Sequence, residues 1–169
     1  DLFTLEDAMI EGMAAVGEIA REMGATLEAI QTAPTFRRVL LKRGAEAIVI
    51  DLVREYAAQA QKEKPRVNGI RVDPPQEILA NKLCALLSRS EIRDLVDVRA
   101  LELAGYRMED ALGAAVAKDS GLTPAQLAWV LSQIQLGDDL RPPGGVVLAE
   151  LRGYLAELIA RLTSTAFPK

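Results

Sequence analysis

The pattern of this chain changes abruptly at Pro74-Pro75, and that change limits the folds open to it. Before it, residues 26–32, 36–42 and 46–52 are short runs joined by the tight linkers 33–35 and 43–45. TLEAIQT alternates, and AEAIVIDLV has a β-branched centre, so these read as strands of a meander or paired hairpins. After it, the apolar spacing is helical throughout. The spacing predicts helices over 76–88, 91–103, 108–118, 124–136 and 147–165, and one more over 5–23. A small sheet beside many helices is α+β. The expected plan is a small mixed or antiparallel sheet lobe over 1–74, then a helical bundle lobe over 75–169.

Punctuation supports that plan. Thr4 reads as an N-cap for the first helix and Gly24 as its stop. Pro75 and Pro124 suit first helical positions, with Thr123 as a cap. Ser88-Arg89-Ser90-Glu91 reads as a capping box. Residues 54–68 read as a polar surface loop with some helix, followed by a short strand at 70–72. GDDLRPPGG, residues 137–145, reads as a linker. In the last helix Leu148, Leu151, Leu155, Leu158 and Leu162 form one stripe, as expected of a helix docked on the bundle.

Composition removes several chemistries. The 169 residues contain no histidine, which excludes His-based triads, His general bases and most zinc sites. One cysteine, Cys84, allows no internal disulfide framework and suits a reducing cytoplasm. The net charge of −4 argues against nucleic-acid binding by bulk charge, though not against a local basic patch. Arg37, Arg38, Lys42 and Arg43, with Lys62, Lys64 and Arg66, form such a set, or else a solvated face. No apolar run approaches the ~20 residues of a membrane span. The first residue is Asp1 rather than Met, which points to a fragment or truncated copy.

Charges stand out where the pattern calls for apolar groups. On a wheel of about 100° per residue, Ile78, Leu79, Leu83, Leu86 and Leu87 share one half of their helix. Lys82 falls inside it. It is either a snorkelling lysine or an inward ammonium aimed at an anion such as a triphosphate. Asp94 and Asp97, one turn apart on the next helix, pair with Arg93 or Lys82, or serve as catalytic or metal-linked carboxylates. Asp51 ends the apolar run Ile48-Val49-Ile50, and Asp1 precedes Leu2-Phe3. Carboxylates from neighbouring strands are what Mg²⁺-dependent phosphoryl or nucleotidyl transfer needs.

These residues carry a resemblance. LANKLCALLSRSEIRDLVDV, residues 79–98, resembles the K-x-x-A-L-x-x-R…R-D-x-x-D signature of AbiEii/AbiGii-type nucleotidyltransferases. These are toxin components of type IV toxin–antitoxin and abortive-infection systems, within the polymerase-β-like superfamily. Asp1-Leu2-Phe3-Thr4 resembles the tail of that family's first motif, and Asp51 its third acid. The resemblance implies an NTP substrate, Mg²⁺, an RNA acceptor such as tRNA or a protein acceptor, and a cognate antitoxin. It implies that Asp1 and Asp51 hold metal, that Lys82 holds NTP phosphates, and that Asp97 completes the catalytic set. Arg89 and Arg93 match its arginines, as phosphate contacts or as ion-pair support, and Asp94 pairs with a basic residue. The family's Gly-Ser element and first Asp-x-Asp acid would lie upstream of Asp1. The expectation is therefore an impaired enzyme in a chain that starts there. The alternative is a non-catalytic remnant that binds partners, with a homo-oligomer expected from apolar surface left by a missing strand.

Overall fold

The computed structural model describes residues 1–168. It forms two compact units, Asp1–Tyr56 and Ala57–Lys169.

The first unit is a four-stranded sheet with one helix. Its elements are β1 (Leu2–Thr4), α1 (Met9–Glu22), β2 (Thr26–Ala33), β3 (Phe36–Arg43) and β4 (Glu46–Arg54). The spatial order is β1-β4-β3-β2. β1 runs parallel to β4, with Leu2 opposite Leu52, and the other pairs are antiparallel. The sheet is thus mixed, one of the two arrangements the sequence left open. Gly44, at φ 58°, supplies the left-handed residue of the β3–β4 turn. α1 buries Met9, Val16 and Ala20 along one stripe and lies close to β4. Gly12 permits this approach, because a Cβ there would come within 2.8 Å of Leu52 Cδ2. Strand alternation then puts Asp51 on the opposite face from Leu52.

α1 begins later than the pattern suggests. Its cap position is Ala8, without a side-chain hydrogen bond. Thr4 belongs to β1, and its hydroxyl closes a local turn, accepting from the Glu6 amide and donating to the Glu6 carbonyl. Hydroxyls of this kind serve turns as readily as caps, which is why Thr4 reads as a cap but does not act as one.

The second unit opens with an extended loop that holds no helix, against the sequence reading of 54–68. Within it β5 (Arg66–Val67) and β6 (Ile70–Arg71) form a separate two-residue hairpin. Asn68 at φ 51° and Gly69 at φ 81° make its tight turn. The helices follow: α2 (Pro75–Ser88), α3 (Ile92–Leu103), α4 (Met108–Lys118), α5 (Pro124–Ser132) and α6 (Leu148–Ala166). Thr123 caps α5 by accepting the Gln126 amide. The capping box before α3 does not form. Ser88 ends α2, Ser90 donates to the Leu86 carbonyl, and Glu91 occupies the cap position without a side-chain capping hydrogen bond. α5 stops at Ser132, short of the predicted 136. The core is built from Leu79, Leu83, Leu95, Leu127, Leu151 and Leu158, each fully buried, with their neighbours. Of the predicted α6 stripe, Leu151, Leu155, Leu158 and Leu162 are buried.

The wheel of α2 is rotated from its predicted setting. Ile78 is exposed, and Glu77 is fully buried in its place. The Glu77 carboxylate pairs with Lys118 of α4, whose side chain is 4% exposed. Glu77 also accepts the Gln61 amide, while Lys118 donates to the Ala58 carbonyl. The pair therefore pins the loop to the bundle, and the loop and hairpin group with the helices. Removing one partner would strand a buried charge. Lys118→Met is expected to destabilise the second unit by about 3–5 kcal/mol, read from its urea unfolding. Glu77→Gln/Lys118→Met should recover most of that loss.

Candidate functional site

The charged signature residues gather at the turn from α2 to α3. Lys82 projects from α2 and its Nζ lies 2.8 Å from Asp94 Oδ1 and 2.5 Å from Asp97 Oδ2. The two aspartates present themselves together because they lie one turn apart on α3. Arg89, just past the end of α2, donates from Nε and Nη2 to both oxygens of Asp94, at 2.8 and 3.0 Å. Ser90 at φ 51° turns the chain sharply here, which lets Arg89 reach back to the first turn of α3. Arg93 stands apart, paired with Glu91 at 2.6 Å.

Burial divides the roles within this cluster. Asp94 is wholly buried, whereas the Asp97 side chain is 47% exposed. Burial pushes the Asp94 carboxyl up, but bonds and charge from Arg89 and Lys82 outweigh it, and the group stays below the usual carboxylate range. Burial likewise pulls Lys82 down, and its two aspartates more than restore it, so the ammonium stays charged well above neutral pH. Asp94 is thus a fixed anion, Lys82 a fixed cation, and Asp97 its solvent-facing partner.

The strand acids are in the first unit. Asp51 lies within β4, three residues before its end, rather than closing the strand. It faces Arg38 across the β3–β4 ladder. Arg38 Nε and Nη2 donate to Oδ1 and Oδ2 at 2.7 and 2.6 Å. Those bonds hold the Asp51 carboxyl below its ordinary value against the upward push of burial. Asp1 is exposed and directly precedes β1. The parallel register puts it one step ahead of Leu2, as Asp51 is one step ahead of Leu52. Two carboxylates on neighbouring strands suit Mg²⁺ in kind, since that ion commonly takes one or two carboxylates plus substrate phosphates. Among the described residues, no group of three or more acids, cysteines or histidines gathers into a metal cage.

Sequence reasoning missed several partners. Arg38, counted with a basic face, is committed to Asp51. Lys42 pairs with Glu28 and Arg43 with Glu46, and Lys64 pairs with Asp73. Glu102 of α3 binds Arg161 and Tyr154 of α6, a clamp between helices far apart in sequence. The strand pairings could have been found from the hairpin register; the helix clamp carried no local signal. A shallow cavity of about 410 Å³ opens at Ile92, Trp129, Gln133 and Ile134, and Lys82 does not line it.

The depressed Asp94 carboxyl has a consequence for acid stability. A carboxyl held below its unfolded value stabilises the fold at neutral pH. That contribution is lost as pH falls through the folded value. The urea midpoint of the second unit should drop on acidification below about pH 4. Asp94→Asn should begin lower at pH 7 and fall less steeply. An unchanged acid slope would show that Asp94 does not carry this effect.

No curated protein matches the chain. Among solved structures it is similar to the crystal structure of JHP933 from Helicobacter pylori, at 22% identity and a TM-score of 0.46. That match covers 83% of this chain and 64% of the other, so this chain spans just under two thirds of that protein's length. The family model "Nucleotidyl transferase AbiEii toxin, Type IV TA system" matches residues 7–163, a range that holds Asp51, Lys82, Arg89, Arg93, Asp94 and Asp97. The chain belongs to the AbiEii nucleotidyl transferase toxin family of type IV toxin–antitoxin systems.

Proposed function

We propose that the protein is a toxin that transfers a nucleoside monophosphate from an NTP to an RNA, such as a tRNA, or to a protein, and that a cognate antitoxin restrains it. The observation that carries this reading is Lys82, a permanently charged ammonium fixed by a buried aspartate within the family match.

In such a transfer an acceptor hydroxyl oxygen attacks the α-phosphorus. The bond to the bridging oxygen breaks, pyrophosphate leaves, and the hydroxyl proton passes to solvent. Much of the catalysis is placement and charge neutralisation, which the cluster is built to supply. Asp94 cannot release Lys82, because it is buried and also engaged by Arg89. Asp97 can, because its carboxylate faces water. A triphosphate oxygen can therefore replace Asp97 at the ammonium while Asp94 keeps the lysine in place. Arg89 braces Asp94, and Arg93, 60% exposed, offers a second cation for phosphate. In the first unit Asp51 and Asp1 are the proposed Mg²⁺ ligands, and Asp51 would also orient the acceptor hydroxyl. Bound there, Mg²⁺ would neutralise phosphate charge. The setting that fits this chemistry is the cytoplasm; among the described residues no helix is long and apolar enough to cross a membrane.

The test is label transfer from α-labelled NTPs to total RNA and to protein, with Mg²⁺. In a parent chain that also carries the family's first motif, Lys82→Ala and Asp51→Ala are each expected to lower transfer on the order of a hundredfold or more. Melting curves would check that the variants fold. A folded Lys82→Ala variant with undiminished transfer would sink the assignment.

A further inference from the structure

Among the cross-strand ion pairs of β2, β3 and β4, the Arg38–Asp51 pair is unlike the others. Glu28 and Glu46, the acids of the other two, are well exposed. The Asp51 side chain is 11% exposed, while that of Arg38 is 42% exposed. The guanidinium fork covers both oxygens of the carboxylate, the geometry that makes arginine–carboxylate pairs strong. Its other face lies over Phe36, 5.4 Å from the ring centroid.

That asymmetry has a direct electrostatic meaning. A carboxylate so little exposed needs a cation beside it. Asp51 sits on a short side chain within β4, between the β1 and β3 ladders. Arg38 can swing away, because its long side chain reaches the surface. The anion stays in place and the cation is exchangeable. Both oxygens that a hard cation would use are also the two that Arg38 now holds.

We infer that Arg38 is a positioning residue that stands in for the divalent cation: it fills the carboxylate face of Asp51 until a metal ion displaces it. This rests on the reading of Asp51 as a metal ligand given above. Two consequences follow. Arg38 holds both Asp51 oxygens in place in the unloaded protein, and metal binding must compete with a bidentate ion pair. The apparent affinity for the ion is lowered by that competition, and the displaced guanidinium, exposed and fork-shaped, is free to meet a phosphate.

The experiment is Mn²⁺ binding to the full chain without nucleotide, followed by the electron paramagnetic resonance signal of free Mn²⁺. The proteins are wild type, Arg38→Gln, Arg38→Lys and Asp51→Asn, with thermal melts as folding checks. Arg38→Gln should bind Mn²⁺ at least about tenfold more tightly than wild type, since its competitor is gone. Arg38→Lys, which keeps the charge and loses the fork, should fall between them. Arg38→Gln equal to or weaker than wild type would make Arg38 a plain structural brace and overturn the inference. If Arg38→Gln does not fold, Arg38→Lys decides alone, tighter binding supporting the inference and unchanged binding overturning it. Asp51→Asn separates the two readings. If it binds Mn²⁺ as well as wild type does, Asp51 is not a ligand, and the metal assignment fails together with the inference. If Asp51→Asn loses binding while the Arg38 variants match wild type, only the inference fails.

Discussion

A carboxylate with no exposed surface, Asp94, governs the arrangement at the α2–α3 turn. An isolated ion in such a place would cost several kcal/mol, so the surroundings must supply positive charge and donors in fixed positions. Lys82 and Arg89 supply them, one from within α2 and one from just beyond its end. The left-handed residue Ser90, the reach of Arg89 back to α3 and the inward setting of Lys82 are therefore parts of one arrangement. Replacing Asp94 by an apolar residue would leave two cations facing each other across the turn. The chemistry proposed for Lys82 depends on this, since a lysine that could move freely would hold a phosphate poorly.

Much of the fold is legible in the sequence because local rules and tertiary packing agree over most of its length. Pro75 and Pro124 sit at helix starts where a missing N–H costs nothing, and Gly24 and Gly105 stop helices in left-handed conformations. β2, β3 and β4 appear within two residues of their predicted bounds because alternation and tight turns are local. The failures are equally instructive. Thr4 and Ser88 carry the residue types of caps, yet each hydroxyl has a closer backbone partner. The rotated face of α2 fails for a different reason. Its cause is Lys118, forty-one positions downstream of Glu77, and no window along the chain connects them.

The site divides along the same line. Lys82, Asp94 and Asp97 were conspicuous as charges in an apolar pattern, and the structure brings the three together. Their spacing along two consecutive helices makes that contact nearly local. Asp51 was conspicuous too, but its partner was not, because Arg38 reads as one member of a basic run until the β3–β4 register is known. Hairpin pairing converts a separation of thirteen residues into direct opposition. The first unit and the second thus arrive at the same device by different routes. Each holds a buried acid whose position is fixed by the backbone and a longer basic side chain that reaches toward water.

That device bears on how an acidic chain could handle polyanions. Bulk charge offers no attraction at a net −4, and the basic residues of the sheet are largely spoken for by Asp51, Glu28 and Glu46. A phosphate approaching Lys82 meets an ammonium already shared between two carboxylates, so its gain is the difference between two ion pairs, not the full strength of one. Exposed pairs are weak, typically within about 1 kcal/mol, whereas buried ones resist exchange. Asp97 lies on the exposed side of that boundary and Asp94 on the buried side. On the proposed reading the ammonium trades one partner for a phosphate without losing the other, and recognition at this site would be an exchange of ions rather than a simple attraction to a basic surface.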